Sequence, residues 1–208
     1  STEQKVSSVS ERSPEISEPR VNPSEPELAV TLVTTGVTGK PEDADVEPNP
    51  VFRMASIIYP GCCLVVTEVP VQGAEPVAQK QLVLLENLLL SLGCKVSEKP
   101  IVTLFNWPML RTPGFDQSAD AARDACQAFL RGQKSKHTVS FVLLMGQQAG
   151  HYMLGQSEPF EAAKGQLLST PEQASLVSYS IQQLFDQPKL KAQLWQDVQP
   201  LRNWLKTD

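Results

Sequence analysis

The chain has 208 residues, of which 41% are hydrophobic and 6% aromatic, and a formal net charge of −5. No apolar run approaches the roughly 20 residues of a membrane-spanning helix, and the first thirty residues lack the basic-then-apolar pattern of a secretory signal, so a cytoplasmic protein is expected. Residues 1–50 carry ten acidic and four basic residues, which leaves 51–208 at +1 and excludes the strongly basic signature of a tight, nonspecific nucleic-acid binder.

Residues 1–50 also hold seven of the 17 prolines and no aromatic. Such a segment cannot bury enough apolar surface to offset the entropy of ordering it, so a disordered, acidic, Pro-rich tail is expected ahead of one domain over 51–208. Its one apolar island is Leu28-Ala29-Val30-Thr31-Leu32-Val33. This is either a docking strand, with Leu28, Val30 and Leu32 binding a partner, or a weakly β-prone patch.

Order is expected from about Val51. Cys62-Cys63-Leu64-Val65-Val66 is a short continuous apolar run, as in a strand buried on both faces. Pro76 is placed to open a helix, Val77, Leu84, Leu85, Leu88, Leu89 and Leu92 recur at helical spacing, and Gly93 fits a left-handed cap. Ile101–Phe105 reads as a second strand, followed by a Pro- and Gly-containing loop from Trp107 to Gly114. Ser118 is placed to cap a helix built on Ala121, Ala122, Ala125, Phe129 and Leu130, with Gly132 at its end.

Val139–Met145 is a third strand, and Gly146 turns into a short helix holding Ala149, Tyr152, Met153 and Leu154. Leu176–Tyr179 is a fourth strand. A last helix from about Pro188 carries Leu190, Leu194, Trp195, Val198 and Leu201 inward, kinked or broken at Pro200. Strands alternating with helices predict a three-layer α/β/α fold around a parallel four-stranded sheet.

The ionisable residues give little chemistry. Cys62, Cys63, Cys94 and Cys126 show neither metal-ligand spacing nor a disulfide framework and read as reduced, mostly buried thiols. His137 and His151 are the two histidines, too badly spaced for a metal site. Asp116, Asp120 and Asp124 form a solvated helical stripe. Trp107, at the C-terminal end of a strand where α/β folds place ligands, either fills space or anchors a partner. No cofactor is expected.

Motif order suggests a family. Val177-Ser178-Tyr179-Ser180-Ile181-Gln182-Gln183-Leu184-Phe185, then Pro188, Lys191 and Trp195-Gln196-Asp197-Val198, resembles the closing motif of uracil-DNA glycosylases, in which Ser180 stands where the catalytic His belongs. Thr67-Glu68-Val69-Pro70-Val71 resembles their Gly-Glu-Ala-Pro-Gly motif. Leu84–Gly93, Thr103–Pro108, and Leu143–Ala149 with Met153-Leu154-Gly155 follow three further segments in order. The resemblance covers about residues 60–205 and implies a uracil-DNA glycosylase-like fold.

It also implies lost chemistry. Excision needs a flipped base, an amide that reads it and stabilisation of the departing anion. Leu104 falls where the uracil-reading Asn belongs, Thr67 and Val71 replace two glycines, and the stacking Phe has no counterpart. The vestigial pocket would comprise Glu68, Pro70, Leu104, Asn106, Trp107 and Ser180. Cys126 falls near one iron–sulfur ligand position of the family's iron–sulfur branch, and one ligand cannot hold a cluster.

Among non-catalytic proteins of this fold the chain is similar to the psi subunits of bacterial DNA polymerase III, through Cys63-Leu64-Val65-Val66-Thr67-Glu68-Val69-Pro70 and through Leu184, Pro188, Ala192 and Leu194-Trp195-Gln196. That resemblance implies a non-enzymatic connector between clamp-loader subunits and the chi subunit, in indirect contact with single-stranded-DNA-binding protein and with little nucleic-acid binding of its own. Psi subunits reach the clamp loader through an aromatic N-terminal peptide, which residues 1–50 do not contain. The alternative is a divergent DNA glycosylase that uses Glu68 to activate water, assisted by Asn106 or Ser180, with Arg111, Arg123 and Lys164 facing DNA.

Overall fold

The computed structural model describes residues 49–72, 77–110, 112, 114–155, 158–170 and 173–207, and every described element falls within Val46–Asp208. The Leu28–Val33 island, Pro76 and Arg111 lie outside the described residues.

The first element is a strand that the expected order lacked. β1 (Phe52–Tyr59) runs into β2 (Cys63–Glu68) through Pro60 and Gly61, where Cys62 donates its N–H to the Tyr59 carbonyl at 3.0 Å and Gly61 has φ 69°. Proline before a residue at positive φ is the chemistry of a type II turn. A link this short forces antiparallel pairing, from Met54 opposite Glu68 to Tyr59 opposite Cys63. The other edge of β1 pairs antiparallel with β3 (Ile101–Trp107), from Phe52 opposite Trp107 to Ile58 opposite Ile101. β2 pairs in parallel with β4 (Phe141–Met145), and β4 with β6 (Ala174–Ser178); β5 (Leu167–Ser169) closes that edge antiparallel.

The sheet is therefore six-stranded and mixed, in the order β3-β1-β2-β4-β6-β5, and corrects the expected parallel four-stranded one. The four expected strands are present and run in one direction. The hairpin partner β1 takes the slot between β2 and β3 and opposes both.

Alternation along the strands divides the core between two faces. Ala55, Ile57, Val65, Leu143 and Leu176 face α1 (Gln79–Ser91), α4 (Ile181–Asp186), α5 (Leu190–Asp197) and α6 (Gln199–Trp204). Met54, Ile58, Leu64, Val66, Leu144 and Val177 face α2 (Ala119–Lys136) and the π-helical turn Ala149–Met153. A four-residue α3 (Phe160–Ala163) precedes β5.

The helix ends follow local chemistry. Ser118 caps α2 by accepting the Ala121 N–H at 3.2 Å. The helix passes through Gly132, where its end was expected, and stops at Lys136. One glycine costs about 1 kcal/mol, and Lys134 and Lys136 suit the negative end of the dipole, so the extra turn persists. The expected last helix is two, α5 and α6, parted at Val198 just before Pro200.

Candidate functional site

The C-terminal ends of β2, β4 and β6 lie side by side, which places Thr67-Glu68, Gly146 and Ser178-Tyr179-Ser180 together. Each of these side chains already has a structural task. Glu68 reaches over Gly146, and its carboxylate accepts the backbone N–H groups of Gln148 and Ala149 at the start of the short helix. Burial pushes the Glu68 carboxyl above its ordinary value, and the two N–H groups only partly offset it. The acidic residue of the glycosylase-like motif is thus a helix cap.

Ser180 is another. It is 3% exposed, accepts the Gln183 N–H at 3.2 Å, and receives the Gln183 side-chain oxygen on its own N–H at 2.9 Å, a complete capping box for α4. Buried Thr67 supports the same helix start by accepting the Ile181 N–H at 3.3 Å. Both residues are almost wholly buried, Thr67 at 1% and Ser180 at 3% exposure.

The remaining residues of the expected pocket lie elsewhere. Glu68 and Phe105 both stand opposite Met54, on either side of β1, so the segment Leu104–Trp107 is two inter-strand spacings, roughly 10 Å, from Glu68. Leu104 packs half-buried against the α1 side of the core, while exposed Asn106 and Leu104 line a groove of about 520 Å³ with Met109 and Phe129. Trp107 is 2% exposed, packs near Phe115 with ring centroids 6.1 Å apart, and belongs to the core on the α2 side. Of its two expected roles, filling space is the one its burial fits. Pro70 is exposed just beyond β2.

Arg123 and Lys164 do not converge on Glu68. Arg123 pairs with Asp120 at 2.6 Å on α2, and Lys164 pairs with Glu161 at 2.7 Å beyond α3. Cys126 is fully buried in the core, where desolvation pushes its thiol up to about 12. Among the described residues no group of three or more His, Cys, Asp or Glu is placed to hold a metal ion. No helix of the described residues is long and apolar enough to cross a membrane.

A polar cluster behind Ser180 escaped the sequence reading. The Ser178 hydroxyl donates to Asp197 at 2.6 Å, the Tyr179 hydroxyl donates to Gln193 at 2.6 Å, and the Lys164 ammonium donates to the Tyr179 oxygen. Asp197 also lies against Gly165, where φ is 74° and an added Cβ would meet the Asp197 Cα at 3.2 Å. These bonds tie α5 to the end of β6. Of the Tyr179 and Trp-x-Asp letters of the glycosylase-like pattern, Tyr179 and Asp197 dock this helix, whereas Trp195, expected to face inward, is 38% exposed and lies under the Arg202 guanidinium. Compared with known proteins, the chain matches no family model and no curated sequence.

Proposed function

We propose that the chain is a non-catalytic connector on a glycosylase-like frame, of the kind represented by psi subunits, joining clamp-loader subunits to a chi subunit. The observation that carries this reading is that Glu68 and Ser180, the two positions where the resemblance would locate glycosylase chemistry, are both engaged as helix caps. A carboxylate bound to two N–H groups is poorly placed to take a proton from water, and a capping hydroxyl is occupied where an anion would need a donor. The shared direction of β3, β2, β4 and β6, with helices on both sheet faces, supports the frame. The antiparallel β1 departs from the parallel arrangement that the resemblance implies.

Size-exclusion chromatography of the full chain with the chi subunit of the same organism tests the reading. A one-to-one complex at micromolar concentration is the expected result, and separate elution overturns it. A parallel assay on uracil-containing single- and double-stranded DNA is expected to release no base at stoichiometric protein. Release of uracil would instead support an enzyme.

A further inference from the structure

At the opposite end of the sheet, an open pocket of about 510 Å³ lies between the β1–β2 turn, the end of α1 and the last turn of the chain. Two thiols line it, Cys62 and Cys94, together with three cations, Lys95, Arg202 and Lys206. None of the described residues lining it is acidic.

Both thiols are held by backbone geometry rather than by chance contact. Cys62 closes the β1–β2 turn and ties the hairpin to the start of β4 by accepting the Ser140 N–H at 2.9 Å. Cys94 is fixed by the C-terminal turn of α1: Gly93 at φ 92° lets its own N–H reach the Leu90 carbonyl and that of Cys94 reach the Leu89 carbonyl, both at 3.0 Å. That double bond pattern is a Schellman cap, which sets where the next side chain emerges. The cap brings Cys94 into the same pocket as Cys62, packed against the same core cluster, across 31 residues of sequence.

We propose that Cys62 and Cys94 form a redox-active dithiol at the floor of this cationic pocket, one that exchanges with an anionic low-molecular-weight disulfide of the glutathione type. Cys62 is the attacking sulfur. The thiols of Cys63 and Cys94 donate to it and hold it below the ordinary thiol range, while Cys63 and Cys94, as the donors, are shifted upward. The other charged or titratable groups facing the site are Lys95, Arg202, Lys206 and the buried Tyr59 hydroxyl, whose proton burial holds in place. Cys63 is fully buried and does not line the pocket, which leaves Cys94 as the resolving thiol.

In the first step the Cys62 thiolate attacks one sulfur of the glutathione disulfide. That S–S bond breaks, and one glutathione leaves as a thiolate and takes up a proton. Cys94 then gives up its proton and attacks the Cys62 sulfur, displacing the second glutathione. The dithiol is oxidised to a Cys62–Cys94 disulfide, one glutathione disulfide is reduced to two thiols, and the two protons end on those thiols. The bond would tie the β1–β2 turn to the end of α1.

Incubating the reduced full chain with glutathione disulfide at pH 7, blocking free thiols with iodoacetamide and mapping peptides by mass spectrometry tests this. The expected product is a Cys62–Cys94 cross-link. Cys94→Ser is expected to stop at a glutathione adduct on Cys62, and Cys62→Ala to give neither product. An adduct confined to Cys94, a Cys62–Cys63 bond, or no modification while an exposed model thiol oxidises would each overturn the proposal. Lys206→Glu provides a test that leaves both thiols intact. It is expected to slow reaction with glutathione disulfide about 3-fold or more, while the rate with neutral hydroxyethyl disulfide stays the same. Equal effects on both reagents would remove the pocket's charge from the mechanism.

Discussion

The carboxylate of Glu68 occupies the space that a side chain on Gly146 would need. A Cβ on Gly146 would stand 2.5 Å from both Cδ and Oε1 of Glu68, and the residue has φ 118°, a region that L side chains rarely adopt. Two separate penalties therefore act on Gly146→Ala: backbone strain of about 1–3 kcal/mol and displacement of a cap worth about 1 kcal/mol. Glu68→Ala alone is expected to cost about 1–2 kcal/mol. In the double variant the clash is gone, so urea unfolding should show a loss smaller than the sum of the singles. Strict additivity would mean that the carboxylate does not sit over the glycine.

The same carboxylate gives stability a pH dependence of unusual sign. Because burial raises the Glu68 carboxyl, the folded chain binds its proton more tightly than the unfolded chain does. Between the unfolded and folded pKa values the folded state holds more protons, so this group's contribution to stability falls as pH rises through that window and is recovered on acidification. Asp197, raised by burial against the opposing effects of Ser178 and Lys164, shifts in the same direction, so a difference measurement is needed to isolate Glu68. The stability of the wild type relative to Glu68→Gln is expected to improve as pH falls from 7 toward 4.5, the ordinary glutamate value. A difference that is flat with pH would show that the N–H groups of Gln148 and Ala149 balance desolvation, and one that worsens in acid that they outweigh it.

What was legible in the chain was local. The Ser118 cap, the left-handed Gly93 and the continuous apolar runs of β2 and β4 each depend on neighbours a few residues away. β1 was missed because its residues are buried on both faces, with Arg53 and Ser56 interrupting any period. The Pro60-Gly61 pair between two apolar runs was a readable turn signal for the hairpin. β5 has three residues, too few for a pattern. The tasks of the site residues depend on contacts far apart in sequence: Glu68 with Gln148, Thr67 with Ile181 and Ser178 with Asp197. No spacing rule links those pairs, so the partners of Glu68 could not be read from the chain, whereas Ser180-x-x-Gln183 has the local spacing of a capping box and was a readable helix-start signal.

Ser180 should behave as a cap and as nothing more. Ser180→Ala removes the acceptor for the Gln183 N–H and is expected to destabilise the chain by about 0.5–2 kcal/mol, while Ser180→Thr keeps the oxygen and most of the stability. Thermal unfolding of the two variants separates them. An alanine variant as stable as wild type would show that the capping box contributes nothing, and would reopen the hydroxyl to another role.

Trp107 tests whether the core on the α2 side is filled by shape or by polar bonding. The residue is 2% exposed, yet its indole N–H is buried without a hydrogen-bond partner among the described residues. Trp107→Ala empties a large volume beside Phe115 and is expected to cost about 3–5 kcal/mol. Trp107→Phe loses part of that packing but also removes an unsatisfied donor whose burial costs about 1–3 kcal/mol, so the two effects oppose each other. The phenylalanine variant should therefore lie within about 1 kcal/mol of wild type in urea unfolding. If it is as unstable as the alanine variant, the N–H must be bonded, with water as the available acceptor, and Trp107 would be held by a polar contact rather than by packing alone.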